Sequence, residues 1–152
     1  MGINVLKLIP SKPEFVPDAR AVEAAKTILS STFPNAQSVS FQLWSGLQFV
    51  DNAGFFEAVY CSHCKSEIDS DWWSASMSSK WSDNLKCFDN LDIETPCCKS
   101  KTSLNDLVYH SNACFALCAI EVEDATRELT RAEFQRLEHE LGCALREVWA
   151  RY

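Results

Sequence analysis

The sequence predicts an α+β fold in which two β-α-β units bracket a cysteine-rich insertion. Three observations carry that reading: a strand–helix–strand pattern in the first fifty residues, a second one in the last forty, and a middle stretch, 51–110, whose composition fits neither. The expected organisation is one domain, 1–152, with 51–110 as the insertion.

Residues 3–9 (INVLKLI) are rich in branched apolar side chains and read as a strand. A proline-punctuated loop follows, and Asp18 after Pro17 is placed to cap a helix over 18–32. Val22, Ala25, Ile28 and Leu29 form its apolar stripe, and Phe33-Pro34 ends it. Val39, Phe41 and Leu43 alternate with polar residues, so 37–44 is a half-buried strand. Ser45-Gly46 then reads as a turn, LQFV as a further extended piece, and Asp51-Asn52-Ala53-Gly54 as another turn.

The second unit opens with the most apolar strand of the chain, 113–123, which needs cover on both faces and so belongs at the centre of a sheet. Thr130 and Glu133 form a capping box. Phe134, Leu137 and Leu141 lie on one face of a helix over 130–141, and Gly142 is a left-handed stop. Residues 144–151 read as the last strand. Two such units suit an antiparallel sheet with both helices on one face, the ferredoxin-like arrangement; an α+β sandwich of other strand order is the alternative.

Composition narrows the function classes. Asp and Glu number 21 against 14 Lys and Arg, a net charge of -7, and between Asp51 and Asp106 ten acidic residues face five basic ones. Such a chain is poorly suited to a phosphate backbone, so no nucleic-acid partner is expected. The segment 127–151 balances five Arg with five Glu and reads as a salt-laced helix. No apolar run reaches membrane-spanning length, and the first residues lack a secretory pattern; no membrane association and a cytoplasmic location are expected.

Eight cysteines in a reducing compartment favour metal or buried thiols over disulfides. Cys114 and Cys118 lie in the apolar strand and read as small buried hydrophobes. Cys61 and Cys64 form a C-x-x-C knuckle. Cys97 and Cys98 follow Pro96 and supply a second pair of thiolates, so structural Zn2+ is the expected cofactor, on Cys61, Cys64, Cys97 and Cys98. His110, Cys87 or His63 could replace Cys98 as fourth ligand. Four thiolates leave no open position for catalysis.

Between the pairs, a helix over 69–83 places Trp73, Met77 and Trp81 on one stripe, with Leu85 near its edge and Trp72 on another side. Both faces can pack internally, or one Trp can meet a partner. The insertion is short and polar, so the metal is expected to replace a missing core. No P-loop, H-E-x-x-H or G-x-S-x-G occurs. His110 could pair with Asp106 on a helix, and Cys87 could act as a nucleophile, though nothing beside it in sequence would activate it. His139 reads as a solvated surface group.

Phe15-Val16-Pro17-Asp18, the Cys61–Cys64 knuckle, Trp72-Trp73, Thr95–Cys98 and Thr102–Tyr109 (TSLNDLVY) together resemble an uncharacterised bacterial family that shares these elements over most of its length. Its members often bear the label "sugar ABC transporter ATPase", which this chain does not support, having no Walker A loop. In the resembling proteins a glycine follows each cysteine pair; here Lys65 and Lys99 stand there.

The expected function is a non-enzymatic, acidic, zinc-stabilised protein-binding module, an inhibitor or immunity protein for a basic partner such as a toxin. Asp69, Asp71, Trp72, Trp73 and Asp83 form its candidate surface. A small enzyme using Cys87 or the His110 region, and a zinc-ribbon nucleic-acid-associated protein, are the alternatives.

Overall fold

In the computed structural model, which describes residues 2–52, 58–110 and 112–152, the elements follow in this order. They are β1 (Asn4–Pro10), α1 (Ala19–Thr32), β2 (Ser38–Val50), β3 (Val59–Tyr60), α2 (Ser70–Lys80), β4 (Trp81–Ser82), β5 (Cys87–Phe88), β6 (Asp92–Glu94) and β7 (Lys101–Ser103). A 3-10 turn at Leu104–Asp106, β8 (Val108–Tyr109), β9 (Cys114–Glu123), α3 (Arg131–Leu141) and β10 (Leu145–Arg151) complete the chain. Ala53 and Gly54 of the expected 51–54 turn lie outside the described residues.

The caps fall where the side chains require them. Asp18 Oδ1 accepts from the Ala21 N–H at 2.8 Å, and Thr130 and Glu133 exchange both capping-box bonds. Gly142 closes α3 at φ 74°, a left-handed conformation open to glycine at no steric cost.

Six strands form an antiparallel sheet in the order β10-β1-β9-β2-β5-β4. The apolar strand β9 is interior, between β1 and β2. Cross-strand partners Leu6–Val122, Leu8–Ile120, Val39–Val122 and Phe41–Ile120 pack with Val22, Ala25 and Leu29 of α1 and Leu137 and Leu141 of α3. Both helices therefore cover one face of the sheet. Leu29 and Leu137 are fully buried, and truncating either to Ala should cost about 2–5 kcal/mol.

Three expectations need correction. Ser45-Gly46 is not a turn: β2 runs through it, and the register with β9 jumps from Leu43–Cys118 to Gln48–Ala116. The extra residues bulge where β5 approaches. A Cβ on Gly46 would stand 2.6 Å from Cys87 Cβ, so only glycine allows that approach. Second, α2 ends at Lys80 and not at 83, because Trp81 and Ser82 leave the helix to pair with Phe88 and Cys87. Leu85 is consequently 65% exposed, in the tight turn of that hairpin.

Third, the insertion does not lack a core. Val59, Ile68, Leu91, Leu104 and Tyr109 pack with Leu47 and Phe115 of the main sheet and with Phe88. Phe115 meets Phe49 and Phe88 with ring centroids 5.0 Å apart in each case. Sequence order hid this cluster, since β2 and β9 supply its floor. Trp72, Trp73, Met77 and Trp81 all pack against it, half-buried. The two sides of α2 thus meet the same apolar cluster.

Among the described residues, no helix is long and apolar enough to cross a membrane.

Candidate metal centre

Two short hairpins project from the insertion. In the first, β3 pairs back through Tyr60 and Glu67, and the Ile68 N–H donates to the Val59 carbonyl at 2.8 Å. In the second, β6 pairs with β7 from Asp92–Ser103 to Glu94–Lys101. Each is tipped by a six-residue turn, Cys61–Ser66 and Thr95–Ser100, and the two turns have the same hydrogen bonds. Cys61 N–H donates to the Ser66 carbonyl, and Thr95 N–H to the Ser100 carbonyl, both at 2.9 Å. Lys65 N–H donates to the Cys61 carbonyl and Lys99 N–H to the Thr95 carbonyl, both at 3.1 Å.

Lys65 (φ 64°) and Lys99 (φ 58°) are both left-handed, at a cost of about 1–2 kcal/mol for a residue with a Cβ. The turn demands that conformation, which explains why glycine suits these positions. Lys65 Nζ donates to the Ser62 carbonyl at 2.7 Å, tying its side chain to its own turn.

The paired tips bring the four cysteines together. The sulfurs of Cys61, Cys64, Cys97 and Cys98 all lie within 4.8 Å of one another. Cys61 to Cys98 is 3.7 Å and Cys64 to Cys97 is 3.4 Å. A tetrahedral thiolate site with metal–sulfur bonds of about 2.3 Å has edges of about 3.8 Å. The set fits a metal ion without rearranging the backbone. Cys61 is buried, whereas Cys64, Cys97 and Cys98 are exposed, so the centre sits at the surface with one ligand rooted in the core.

The surroundings favour the thiolate at Cys98 and Cys64, while desolvation and then the hydrogen bond with Cys64 raise Cys97 to about 11. The Ser100 hydroxyl, 3.0 Å away, and then the Thr95 hydroxyl, 3.5 Å away, pull Cys98 down to about 5. Hydrogen bonds from Ser66 lower Cys64. The His63 N–H donates to Cys61 Sγ at 3.4 Å. Thr95, Ser66 and Ser100 therefore support the ligands, a role the sequence reading overlooked. The signal was the tripeptide C-K-S, present at 64–66 and again at 98–100.

Cys98 belongs to the quartet, and His63, His110 and Cys87 do not. Cys87 is buried on β5 against Gly46. His110 follows a 3-10 turn and β8, so no helix sets it one turn beyond Asp106. Burial pushes Cys114 and Cys118 up to about 11, as expected of inert core thiols.

Asp69 caps α2, accepting from the Asp71 N–H at 3.2 Å, and Asp69, Asp71 and Asp83 are exposed. Trp73 Nε1 donates to Tyr109 Oη at 3.4 Å, and that hydroxyl donates to the Leu104 carbonyl at 2.6 Å. Trp73 is thereby tied into the insertion's core.

The chain is thus an α+β protein with a large antiparallel sheet and a four-cysteine cluster able to hold a metal ion. It matches no protein-family model, no curated protein and no solved structure.

Proposed function

We propose that the chain is a zinc-stapled, non-enzymatic protein-binding module on a ferredoxin-like core, an inhibitor or immunity protein that blocks a basic partner such as a toxin. The observation that carries this reading is the quartet of Cys61, Cys64, Cys97 and Cys98. Four soft donors suit Zn2+, and a site closed by four protein ligands supports structure and not turnover. Support for the ferredoxin-like core comes from the four long strands, which lie in the order last, first, third, second, with α1 and α3 packed on one side.

The acidic balance of the insertion supports a basic partner. Asp69 and Asp71 flank the half-buried Trp72 and Trp73 in the first turn of α2, and Asp83 is exposed beyond the helix's other end, which adds acid to the same insertion. Burial of Cys87 weighs against a thiol enzyme, and the acid weighs against a nucleic-acid ribbon. Membership in the bacterial family with the TPCC and TSLNDL segments is part of this proposal.

Elemental analysis of the purified protein should find close to one zinc per chain, lost in Cys61→Ser/Cys64→Ser. A pull-down should then recover a basic protein with wild type. The double cysteine variant should bind it more weakly, and charge reversal at Asp69, Asp71 and Asp83 should slow association and flatten its salt dependence. Unchanged binding by both variants would exclude the insertion as the functional surface.

A further inference from the structure

A cavity of about 400 Å³ opens at the seam where the insertion rejoins the sheet. The 3-10 turn and the approach to β9 form one wall, and Arg146 to Val148 of β10 the other. Its size and its place between two packed units are those of a small-molecule pocket.

Two polar groups in it are incompletely used. Arg146, half-buried, donates from Nη1 to the Asn105 carbonyl at 3.2 Å, and among the described residues no carboxylate forms an ion pair with it. A guanidinium carries five N–H groups, so most of its donors remain for a ligand. Asn105 is only 3% exposed. Its Oδ1 accepts from the Phe115 N–H at 2.8 Å, which fixes the amide's orientation because a backbone N–H can only donate. Its Nδ2 has no protein partner among the described residues. Yet none of their fully buried side-chain nitrogens or oxygens lacks one, so Nδ2 keeps some access to solvent, and Asn105 lines the cavity.

We propose that this cavity binds a small carboxylate-bearing molecule, with the carboxylate held by the Arg146 guanidinium and Asn105 Nδ2. A planar fork beside an amide donor matches a planar acceptor pair. Asp106 and Glu147 line the same cavity; their charge disfavours a doubly charged anion such as phosphate more than a single carboxylate held by Arg146.

The probe is acetate, titrated into the full chain at constant ionic strength against chloride and followed by NMR. The Asn105 side-chain amide and Arg146 Nε signals should move saturably with acetate, and phosphate should bind more weakly. Arg146→Gln should weaken acetate about tenfold or more. Asn105→Asp keeps the acceptor for Phe115 while removing the donor, and should give a similar loss if Arg146→Gln fails to fold. Shifts that stay linear or match those in chloride, equal binding by a folded variant, or a tighter response to phosphate would overturn the proposal.

Discussion

Thr95 occupies in the second tip turn the position that Cys61 occupies in the first: each N–H donates at 2.9 Å to the carbonyl of a serine five residues on. Where Cys61 offers a sulfur to the centre, Thr95 is wholly buried and its Oγ1 accepts from the Ser100 N–H at 3.0 Å. The missing ligand is supplied from two residues further along, by Cys97. An adjacent pair of cysteines does here what a second C-x-x-C would do elsewhere.

Thr95→Val should leave the Ser100 N–H without its side-chain acceptor and cost about 1–3 kcal/mol. Metal should be stripped faster by a chelator than from wild type. Competition with a chromophoric chelator, alongside thermal unfolding, measures both. Wild-type behaviour would mean that the hydroxyl supports nothing.

Lys65 and Lys99 test the turn itself. Lys65→Gly and Lys99→Gly should leave stability unchanged or raise it by up to about 1 kcal/mol, since glycine escapes the left-handed strain and loses only part of that gain to its greater unfolded-state entropy. Lys65→Val and Lys99→Val should each cost about 1–2 kcal/mol, because a branched Cβ is most strained there. Denaturant unfolding of the four variants would show the contrast.

Gly46→Ala should destabilise by about 1–3 kcal/mol through overpacking against Cys87. Adding Cys87→Ala should recover part of the loss, because it removes the crowded sulfur. A double-mutant cycle showing strict additivity would mean that the two residues do not press on each other.

Acid should weaken the start of α3. Arg127 donates to both Glu133 oxygens, at 2.8 and 2.9 Å, and the Thr130 N–H donates to Oε1. The Arg127 guanidinium and then the Thr130 N–H hold Glu133 down to about 2, from an ordinary 4.5. A carboxylate whose folded pKa is depressed stabilises above its unfolded value, and that contribution is lost as pH falls from about 4.5 to 2. The pair is at the surface, so about 0.5–1 kcal/mol is at stake. Thermal unfolding of wild type and Glu133→Gln should differ at neutral pH and converge near pH 2.

The elements readable from sequence were those set by local chemistry. Asp18, the Thr130–Glu133 box and Gly142 act within one turn of their own backbone, so α1 and α3 fall within a residue of expectation. The β4–β5 hairpin was missed because Trp73, Met77 and Trp81 keep helical spacing to the end. Only the cross-strand pairing of Trp81 with Phe88, which helical periodicity does not register, shows that the helix has stopped. The clustering of the four cysteines was legible because the spacing of such pairs is a chemical signature. The Arg146–Asn105 contact joins residues 41 apart on different elements, and no periodicity announces it.

The position of β1 between β9 and β10 bears on how the chain acquires its shape. β1 and β2 are not sheet neighbours, so the first half alone forms none of the long ladders. Both strands wait for β9, more than sixty residues beyond β2, and the edge of β1 then waits for β10. Loop closure over such separations slows collapse to the native pairing, and a ribosome would carry two unpaired strands until late in synthesis. The hairpins bearing the four cysteines are short-range and can form earlier. A metal ion taken up by the quartet at that stage would precede the sheet, drawing the ends of the intervening segment together and shortening the search by which β9 finds β2.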